Sequence, residues 1–445
     1  MHTSNPTEST AVDKASVFEG VTFYHWLVVI IASCGWLFDC MDQRLFILAR
    51  EPALTELMGA EVARDIIKQY GGYATMAMML GWATGGIIFG MMSDKIGRVK
   101  TMVATLLVYS GFTGLSGMAQ GWADFITYRF LVGLGVGGMF GAATTLVAES
   151  VPGRFRAIAL GSLQALSATG NIIGSLISFV IPPGQLNFVS HFTGWRVLFF
   201  VGILPSLLAI PILFVLREPE PWKRAKAEAA KGIQHKQVGS LPDLFRNPRW
   251  RRNAIVGLLL GLSGMAGLWG IAFFSPELVS EALKGAPQAT VDKVRALGTA
   301  LQDAGAFCGM MVFTFIASFV TRRLAFLLSF LSCLATVVFV FYSLHSATDA
   351  YWMLPMMGFA TLSVFAGYSI YFPELFPTRL RGTGVGFCYN TVRYLAAPAP
   401  ALLGHLSVWM ESFRYAAMLM AVIYLLGMVA LIWAPETKGT PLPED

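Results

Sequence analysis

A small set of charged and amide side chains interrupts stretches of the sequence that are otherwise apolar. The stretch GWLFDCMDQRLFILA, residues 35–49, holds two aspartates and an arginine. A charge at the centre of a membrane helix costs about 3 kcal/mol or more, so such residues usually face a cavity and act there. They are the first candidates for binding a proton or a charged solute, and they are Asp39, Asp42, Arg44, Arg129, Gln302, Asp303 and Arg393.

The composition indicates that a lipid bilayer surrounds these residues. Of the 445 residues, 55% are hydrophobic and 13% are charged, whereas a soluble domain carries about 25% charged residues. Apolar blocks of about 20 residues are long enough to cross a bilayer as helices. We expect an all-α integral membrane protein with twelve transmembrane helices, called spans 1 to 12, at 24–47, 71–92, 98–119, 124–148, 156–181, 196–216, 251–275, 296–320, 323–344, 350–372, 382–407 and 413–434.

The distribution of Lys and Arg predicts the orientation of the chain. These residues concentrate in every second connection and in the long connection between spans 6 and 7. Cytoplasmic loops carry such an excess, so we expect both termini to lie in the cytoplasm. The expected location is a cell membrane, such as a bacterial inner membrane. Residues 1–23 lack the apolar core and cleavage site of a signal peptide. The net charge of +6 therefore reflects orientation and does not indicate a nucleic-acid partner.

The two halves of the sequence repeat each other. AESVPGRFRAIALG at 148–161 aligns with PELFPTRLRGTGVG at 373–386 at a constant offset of 225, and Gly133 aligns with Gly358. Parallel repeats of six helices are typical of secondary transporters, whose substrate site lies near the bilayer midplane between the halves. We expect two pseudo-symmetric six-helix bundles, and the predicted divisions are a tail at 1–23, a bundle at 24–216, a linker at 217–250, a bundle at 251–434 and a tail at 435–445.

Several motifs resemble those of the major facilitator superfamily of transporters. GMMSDKIGRVK at 90–100 resembles the superfamily's loop 2–3 signature, and RFLVGLGVGG at 129–138 resembles its motif in span 4. PETKG at 435–439 is similar to the ending of sugar porters, and PELFPTRLRGTG resembles the loop before span 11 in sugar and organic-ion porters. The resemblance covers nearly the whole chain and implies transport by alternating access of two rocking halves.

The resemblance also implies gating residues on the inner side, where the loop 2–3 motif helps to hold the halves closed. The second-half copy of this motif, SFVTRRL at 318–324, lacks the aspartate and glycine, so we expect it to contribute only charge. The linker segment WKRAKAEAAKGIQHK is expected to form an amphipathic helix on the inner surface. The candidate gating residues are Asp94, Gly97, Arg98, Glu149, Arg154, Arg156, Glu374, Arg379 and Arg381.

Asp39 and Asp42 are three residues apart and share a helix face. The sequence DCMD resembles the D-G-x-D motif of aromatic-acid/proton symporters, with Cys40 in place of the glycine. The resemblance to proton-coupled sugar porters implies that Asp42 pairs with Arg129 of span 4. An aspartate beside an arginine stays ionised, and withdrawal of the arginine favours protonation, which would couple proton uptake to helix movement. The alternative is a purely structural ion pair between spans 1 and 4.

Arg393 lies about ten residues into span 11, with Asn390 and Tyr389 on the same helix face. An arginine can bind a carboxylate through two parallel hydrogen bonds. The organic-anion branch of the superfamily resembles this chain in carrying an arginine at this spacing after RGTGxG, whereas sugar porters normally have Trp or Gln there. The resemblance implies an anionic substrate. The alternative is an arginine neutralised by Asp303 or another buried acid.

Other polar residues are candidates with more than one interpretation. Gln164 and Asn171 are seven residues apart on one helix face and either line the cavity or bridge helices by hydrogen bonds. Trp269 of span 7 would offer an aromatic face to a ligand. Asp303 is a second proton site, a partner of Arg393 or a residue near the outer interface. Arg44 is expected to extend its side chain to the membrane surface.

The sequence gives no indication of an enzyme, because it lacks a nucleotide loop, GxSxG and HExxH. Its six histidines are scattered and its five cysteines lack metal-ligand spacing, so we expect no metal site, no cofactor and no disulfide. The expected function is proton-coupled symport of a small organic anion, such as an aromatic acid, nicotinate or a sugar acid, for which a monomer suffices. The alternatives are a sugar or polyol porter, a drug or organic-anion exporter, and a non-transporting membrane sensor.

Overall fold

A computed structural model describes residues 17–59, 61–185, 189, 191–230 and 237–444. Ten of its helical segments are long and apolar enough to cross a membrane. Two further expected spans complete the set of twelve. Span 3 is helical over Arg98–Ser116 but less apolar, and span 11 is divided into two shorter helices. The expectation of an all-α membrane protein is therefore confirmed.

The first half consists of six helical spans joined by short connections. Spans 1 to 5 are single helices, and span 6 contains a 3₁₀ turn between two helices. Their bounds are Phe23–Met58, Arg64–Ile96, Arg98–Ser116, Trp122–Ser150 and Gly153–Val180 for spans 1 to 5, and Gly194–Val201, Leu204–Leu208 and Ala209–Val215 for span 6.

The linker and the second half also consist of helices. The linker holds the helices Glu220–Ala230 and Leu241–Arg246, and spans 8, 9 and 10 are single helices over Gln288–Phe319, Arg322–Ser343 and Ala347–Glu374. The remaining spans are interrupted. Span 7 comprises Pro248–Gly270, Ala272–Phe274 and Ser275–Ala282, the 3₁₀ turn Thr378–Leu380 leads into span 11 at Arg381–Ala396 and Ala399–Trp409, and span 12 comprises Phe413–Met420 and Ile423–Ala430.

Two expected helix bounds were wrong because the apolar pattern marks the bilayer interior and not the helix end. Span 1 was expected to end at residue 47 but continues to Met58 through Arg50 and Glu51. Span 8 was expected to begin at residue 296 but begins at Gln288. Arginine and glutamate are strong helix formers, so the helices extend beyond the apolar layer that the sequence pattern detects.

Spans 7 and 11 were expected to be continuous, and both are broken within the membrane. Span 7 leaves the α-helical conformation at Ile271, five residues before Pro276. Span 11 breaks at Ala397 and Pro398, and proline lacks the backbone N–H that a continuing helix needs. The last turn before this second break contains Arg393, whose carbonyl accepts a hydrogen bond of 2.9 Å from the Ala397 amide. The break therefore places the arginine in the last turn of a helix.

Close contacts between backbones hold spans 2 and 4 together. A Cβ atom at Gly133 would overlap the Met78 carbonyl, and one at Gly137 would overlap the Trp82 carbonyl. Small residues that allow such approach stabilise helix pairs in membranes by van der Waals contact. This packing places Trp82 of span 2 against span 4, beside the centre of the protein.

The loops between spans 2 and 3, 4 and 5, 8 and 9, and 10 and 11 lie together with the linker at one end of the bundle, here called the basic end. The linker helix Glu220–Ala230 is anchored there by Trp222, whose buried indole donates a hydrogen bond of 2.6 Å to the Asp94 carbonyl. The second part of the expected amphipathic helix, residues 231–236, lies outside the described residues. The basic end takes its name from Lys95, Lys100, Arg98, Arg322, Arg323 and Arg379.

Candidate functional site

The Arg393 side chain is buried, 3% exposed, between two aromatic rings. Its guanidinium carbon lies 3.8 Å from the ring centroid of Trp82 and 4.8 Å from that of Tyr389. One terminal nitrogen donates to the Tyr389 carbonyl at 2.6 Å and to the Asn390 side-chain oxygen at 2.8 Å. Cation–π attraction of this kind strengthens when the pair is shielded from water. The arginine of span 11 is thus held in place by its own helix and by span 2 of the other half.

The rings around Arg393 form an aromatic cluster of Trp36, Trp82, Phe140 and Tyr389. Tyr389 stacks on Phe140 with centroids 3.8 Å apart, and Trp36 contacts both Phe140 at 5.0 Å and Trp82 at 6.3 Å. Spans 1, 2 and 4 of the first half therefore surround the arginine of the second half. The cluster offers planar apolar surfaces around a single fixed cation.

Among the described residues, Arg393 forms no ion pair with an acid. Asp303 is instead held by Arg44, with 2.6 Å between the Arg44 terminal nitrogen and the Asp303 carboxylate. The interpretation of Asp303 as the partner of Arg393 was therefore wrong. The expectation that Arg44 extends to the membrane surface was also wrong, because a carboxylate on span 8 draws its side chain across the protein. The Arg393 Nε atom is buried and has no hydrogen-bond partner within the described chain.

Asp42 and Arg129 are both fully buried and face each other, as the resemblance implied. The nearest nitrogen and oxygen are 3.9 Å apart, which is too long for a hydrogen bond. Arg129 donates hydrogen bonds to the Ser116 hydroxyl, the shorter at 2.5 Å, and its guanidinium carbon lies 4.7 Å from the ring centroid of Phe199. The two side chains therefore form an ion pair without a direct hydrogen bond between them.

Asp39 has a different environment one helical turn away. It is fully buried, and neither of its carboxylate oxygens has a hydrogen-bond partner within the described residues. The arginines of this region are engaged elsewhere, because Arg129 faces Asp42 and Arg393 stacks on the aromatic cluster. The two aspartates that the sequence groups together therefore have different surroundings. Among the described residues, Asp42 faces a guanidinium and Asp39 does not.

Of the remaining predicted substrate residues, Gln164 and Asn390 lie near Arg393, whereas Asn171 and Trp269 lie elsewhere. Gln164 is buried, lies close to Tyr389 and has a side-chain oxygen without a described partner. Asn390 reaches the other half through a hydrogen bond of 3.4 Å to the Gly137 carbonyl. Asn171 is half-buried further along span 5. Trp269 stacks on Phe273, with centroids 4.5 Å apart, beside the break in span 7, so the structure places its ring against its own span.

At the basic end, Asp94 joins span 2 to the start of span 11. Its carboxylate accepts hydrogen bonds from the Gly382 amide at 3.0 Å, the Thr383 amide at 2.8 Å and the Thr383 hydroxyl at 2.7 Å. A carboxylate at a helix N-terminus satisfies backbone N–H groups that have no partner within the helix and interacts favourably with the helix dipole. Asp94 therefore acts as an N-terminal cap that is supplied by the opposite half.

Arg98 and Arg381 meet on the same carboxylate, that of Glu149. Arg98 of the first half binds it through two nitrogens at 2.9 and 3.1 Å, and Arg381 of the second half binds it at 2.5 Å. Arg98 also donates to the Thr378 carbonyl at 2.8 Å. Two guanidiniums from opposite halves thus share one buried acid, and this end of the bundle is closed.

A matching network lies within the second half. Arg322 binds Glu374 through two nitrogens at 3.0 and 3.1 Å, as Arg98 binds Glu149. The expectation that the SFVTRRL copy contributes only charge was therefore wrong, because its first arginine keeps the specific carboxylate contact. The SFVTRRL copy lacks the helix cap of the first motif, because it has no aspartate at the position of Asp94.

Two glutamates that the sequence analysis did not single out anchor these arginine loops. Glu218 accepts from the Arg98 amide at 2.7 Å, and Glu436 of the PETKG motif accepts from the Arg322 amide at 2.9 Å. Burial raises the pKa of Glu436, but four backbone N–H donors outweigh it and hold the pKa below its ordinary value. Gly97 has a φ of 120°, and a Cβ atom there would overlap the Glu218 carboxylate, which explains the glycine of the motif.

The other predicted gating residues lie around this network. Arg156 donates to the Ala148 carbonyl at 3.0 Å. Arg379 binds Asp243 of the linker at 3.3 Å. Arg154 contacts Glu19 at 3.4 Å on the exposed surface. These arginines therefore connect the linker and the residues before span 1 to the basic end.

Sequence reasoning missed the aromatic cluster and the Glu218–Glu436 correspondence. Trp36, Trp82 and Phe140 stand in apolar helices, where nothing in the local sequence separates a site residue from a lipid-facing one. The glutamates carried a usable signal, because REPEP at 217–221 and APETK at 434–438 occupy equivalent places after spans 6 and 12. The two glutamates are 218 residues apart, so the repeat's offset of 225 does not align them, but a comparison of the segments that follow spans 6 and 12 would have found them.

Interrupted spans, a buried cation between the halves and a closed basic end are features expected of a membrane transporter. The chain matches the family model of the Major Facilitator Superfamily over residues 33–400 and belongs to that family. It is therefore a multi-pass membrane transporter and not an enzyme.

Relatives and solved structures agree with this assignment. The chain is 28% identical over 369 residues to the cis,cis-muconate transport protein of Acinetobacter baylyi, with 82% of this chain and 84% of the relative covered. It is 22% identical over 453 residues to the niacin transporter NiaP of the same species, with 94% and 96% covered. Its fold is similar to that of the proton:xylose symporter XylE bound to 6-bromo-6-deoxy-D-glucose, with a TM-score of 0.75, 17% identity, and 94% and 98% covered.

The cap contact at the basic end makes a first prediction. Asp94→Ala removes three hydrogen bonds to the start of span 11 and should reduce the free energy of unfolding by about 1–2 kcal/mol. The apparent Tm of the purified protein in detergent measures this loss. Asp124→Ala is the control, because Asp124 is an exposed acid in the first turn of span 4. An equal change in both variants would show that Asp94 does not join the halves.

Proposed function

We propose that this transporter carries a small organic anion together with protons, by alternating access of its two halves. The observation that carries the proposal is Arg393, a buried guanidinium with no acid partner within the described residues. A permanent cation in the membrane interior is costly unless it is paired. Aromatic rings and two acceptors reduce that cost, and a substrate carboxylate would complete the pairing.

The geometry favours a planar or partly apolar acid. Arg393 has an unpartnered Nε–H beside its engaged terminal nitrogen, and arginine binds carboxylates through two adjacent N–H groups. Trp36, Trp82 and Phe140 supply apolar surface next to this donor. Muconate and niacin, the substrates in the names of two relatives, are small carboxylic acids that combine one or two carboxylates with a planar unsaturated body.

Proton coupling would use the different surroundings of Asp39 and Asp42. Asp42 faces the Arg129 guanidinium at 3.9 Å, whereas Asp39 forms no ion pair within the described part of the chain. A buried carboxyl group without a cation holds its proton. We assign proton binding to Asp39, with Asp42 and Arg129 as the ion pair that adjusts it when span 4 moves relative to span 1.

The direction of access follows from charge. Lys and Arg at the basic end assign it to the cytoplasm, so both termini and the Asp94 and Glu149 contacts would lie on the inner side. These contacts would break when the site opens inward and form again when it opens outward. This orientation fits a bacterial inner membrane.

A neutral sugar or polyol is the second candidate substrate. It is favoured by the XylE fold and by the PETKG segment. The site opposes it, because a polyol carries no charge to pair with the buried Arg393 guanidinium, which lies against the rings of Trp82 and Tyr389.

Replacing the central arginine tests the substrate class. Benzoate, nicotinate, cis,cis-muconate and xylose are the probes, and ligand binding raises the apparent Tm of the folded protein. We expect at least one acid to raise the Tm of the native protein, and Arg393→Gln to weaken that binding at least about tenfold, the loss that about 1.4 kcal/mol produces. Arg414→Gln, which changes an arginine of the same half outside the aromatic cluster, should keep the response. A response to xylose alone, unaffected by Arg393→Gln, would establish the sugar porter instead.

Separate replacement of the two aspartates tests proton coupling. Asp39→Asn mimics the protonated side chain, so vesicles should retain exchange of a responding acid but lose its accumulation driven by a pH gradient. Asp42→Asn leaves Arg129 buried without an anion and should lower the apparent Tm, since breaking a buried pair costs about 3–5 kcal/mol. Gradient-driven accumulation that survives in Asp39→Asn would contradict the assignment.

A further inference from the structure

Within the described part of the chain, an ion pair joins the two halves away from the basic end. Arg44 of span 1 and Asp303 of span 8 meet at 2.6 Å, and their side chains are 24% and 22% exposed. Two other ion pairs toward the same end stay within one half, namely Arg196–Glu56 at 2.9 Å and Arg414–Glu281 at 3.3 Å. Separation of the halves at this end would leave those two intact and would break Arg44–Asp303.

The Arg44–Asp303 pair lies above the aromatic cluster on the path from the opposite end. Trp36 belongs to the cluster, and Arg44 follows it by eight residues, which is about 12 Å along a helix. Cys40 lies on span 1 midway between Trp36 and Arg44, four residues from each, so the three side chains lie on the same side of the helix. The Arg44 side chain therefore faces the region of the site and not the lipid.

A glycine on span 5 makes room for the Arg44 side chain. A Cβ atom at Gly174 would lie 2.9 Å from the Arg44 Cβ and 3.1 Å from its Cγ. The chain of Arg44 therefore passes against the span 5 backbone before it reaches span 8. The packing directs the guanidinium toward Asp303.

We propose that Arg44 and Asp303 form the outer gate of the transporter, an ion pair that closes the site from the side opposite to the basic end. The pair is shielded enough for attraction at about 3 Å to be effective. It is also near enough to water for both charges to be hydrated when they separate, so breaking it carries only a small cost. A contact with these two properties can form and break in every transport cycle. The inner gate of Asp94, Glu149 and Arg381 is fully buried by contrast.

The gate rests on the proposed alternating access, but its test needs neither substrate nor protons. The reporter is Cys40, a buried thiol that is 8% exposed one helical turn before Arg44, and the probe is a membrane-impermeant thiol reagent added outside whole cells. The background carries Cys34→Ser and Cys308→Ser, because these two cysteines are less buried. Cys40→Ser in the same background identifies the signal that belongs to Cys40.

Breaking the pair should open the outer side more often. We expect Asp303→Asn and Arg44→Gln each to raise the Cys40 labelling rate by about fivefold or more, the shift that about 1 kcal/mol of lost interhalf interaction produces. The exchanged pair Arg44→Asp with Asp303→Arg should return the rate toward that of the parent. Glu56→Gln is the matched control, because it breaks a partly exposed ion pair at the same end within one half.

The outcomes separate the gate from the anion site. Unchanged labelling, or unreactive Cys40, in the well-folded Asp303→Asn protein overturns the gate, and so does an equal increase in Glu56→Gln. Either result leaves the binding of acids by Arg393 to be decided by its own variant. Conversely, loss of acid binding with intact gate behaviour would remove the substrate proposal and keep the gate.

Discussion

The structure depends on the burial of one guanidinium between two halves of a membrane protein. Arg393 is held by Trp82 across the interface and by Tyr389 and Asn390 of its own span. Cation–π contacts and two carbonyl-type acceptors stabilise the charge without neutralising it. The proline break that follows keeps the arginine in the last turn of a helix. The proposed anion preference rests on this residue and on the aromatic rings around it.

The two ends of the bundle are closed by contacts of different character. At the basic end, Asp94 and Arg381 belong to a fully buried network in which each charge has several partners. At the opposite end, a partly exposed ion pair joins Arg44 to Asp303. Buried networks are costly to break one member at a time, whereas an exposed pair is exchanged readily. Under the proposed alternating access, opening toward the basic end therefore requires more contacts to break than opening toward the opposite end.

Sequence reasoning predicted the features that repeat or carry charge. The twelve spans, the loop 2–3 motif and the Asp42–Arg129 juxtaposition follow from apolar block length and from motif spacing. The partner of Asp303 did not follow, because spacing within a helix says nothing about which side chain another helix presents. The breaks at Ile271 and Ala397 were missed since proline is tolerated in many membrane helices. The aromatic cluster was missed because Trp36 and Trp82 satisfy an apolar pattern whether they face lipid or a cation.

An experimental map of the purified protein with benzoate bound would test the binding of a carboxylate by Arg393. The buried position of Arg393 predicts density for the carboxylate about 3 Å from a guanidinium nitrogen, with the ring against the aromatic cluster and Arg44 on Asp303. A map in which Arg393 is paired with an acidic side chain while benzoate lies elsewhere would contradict it.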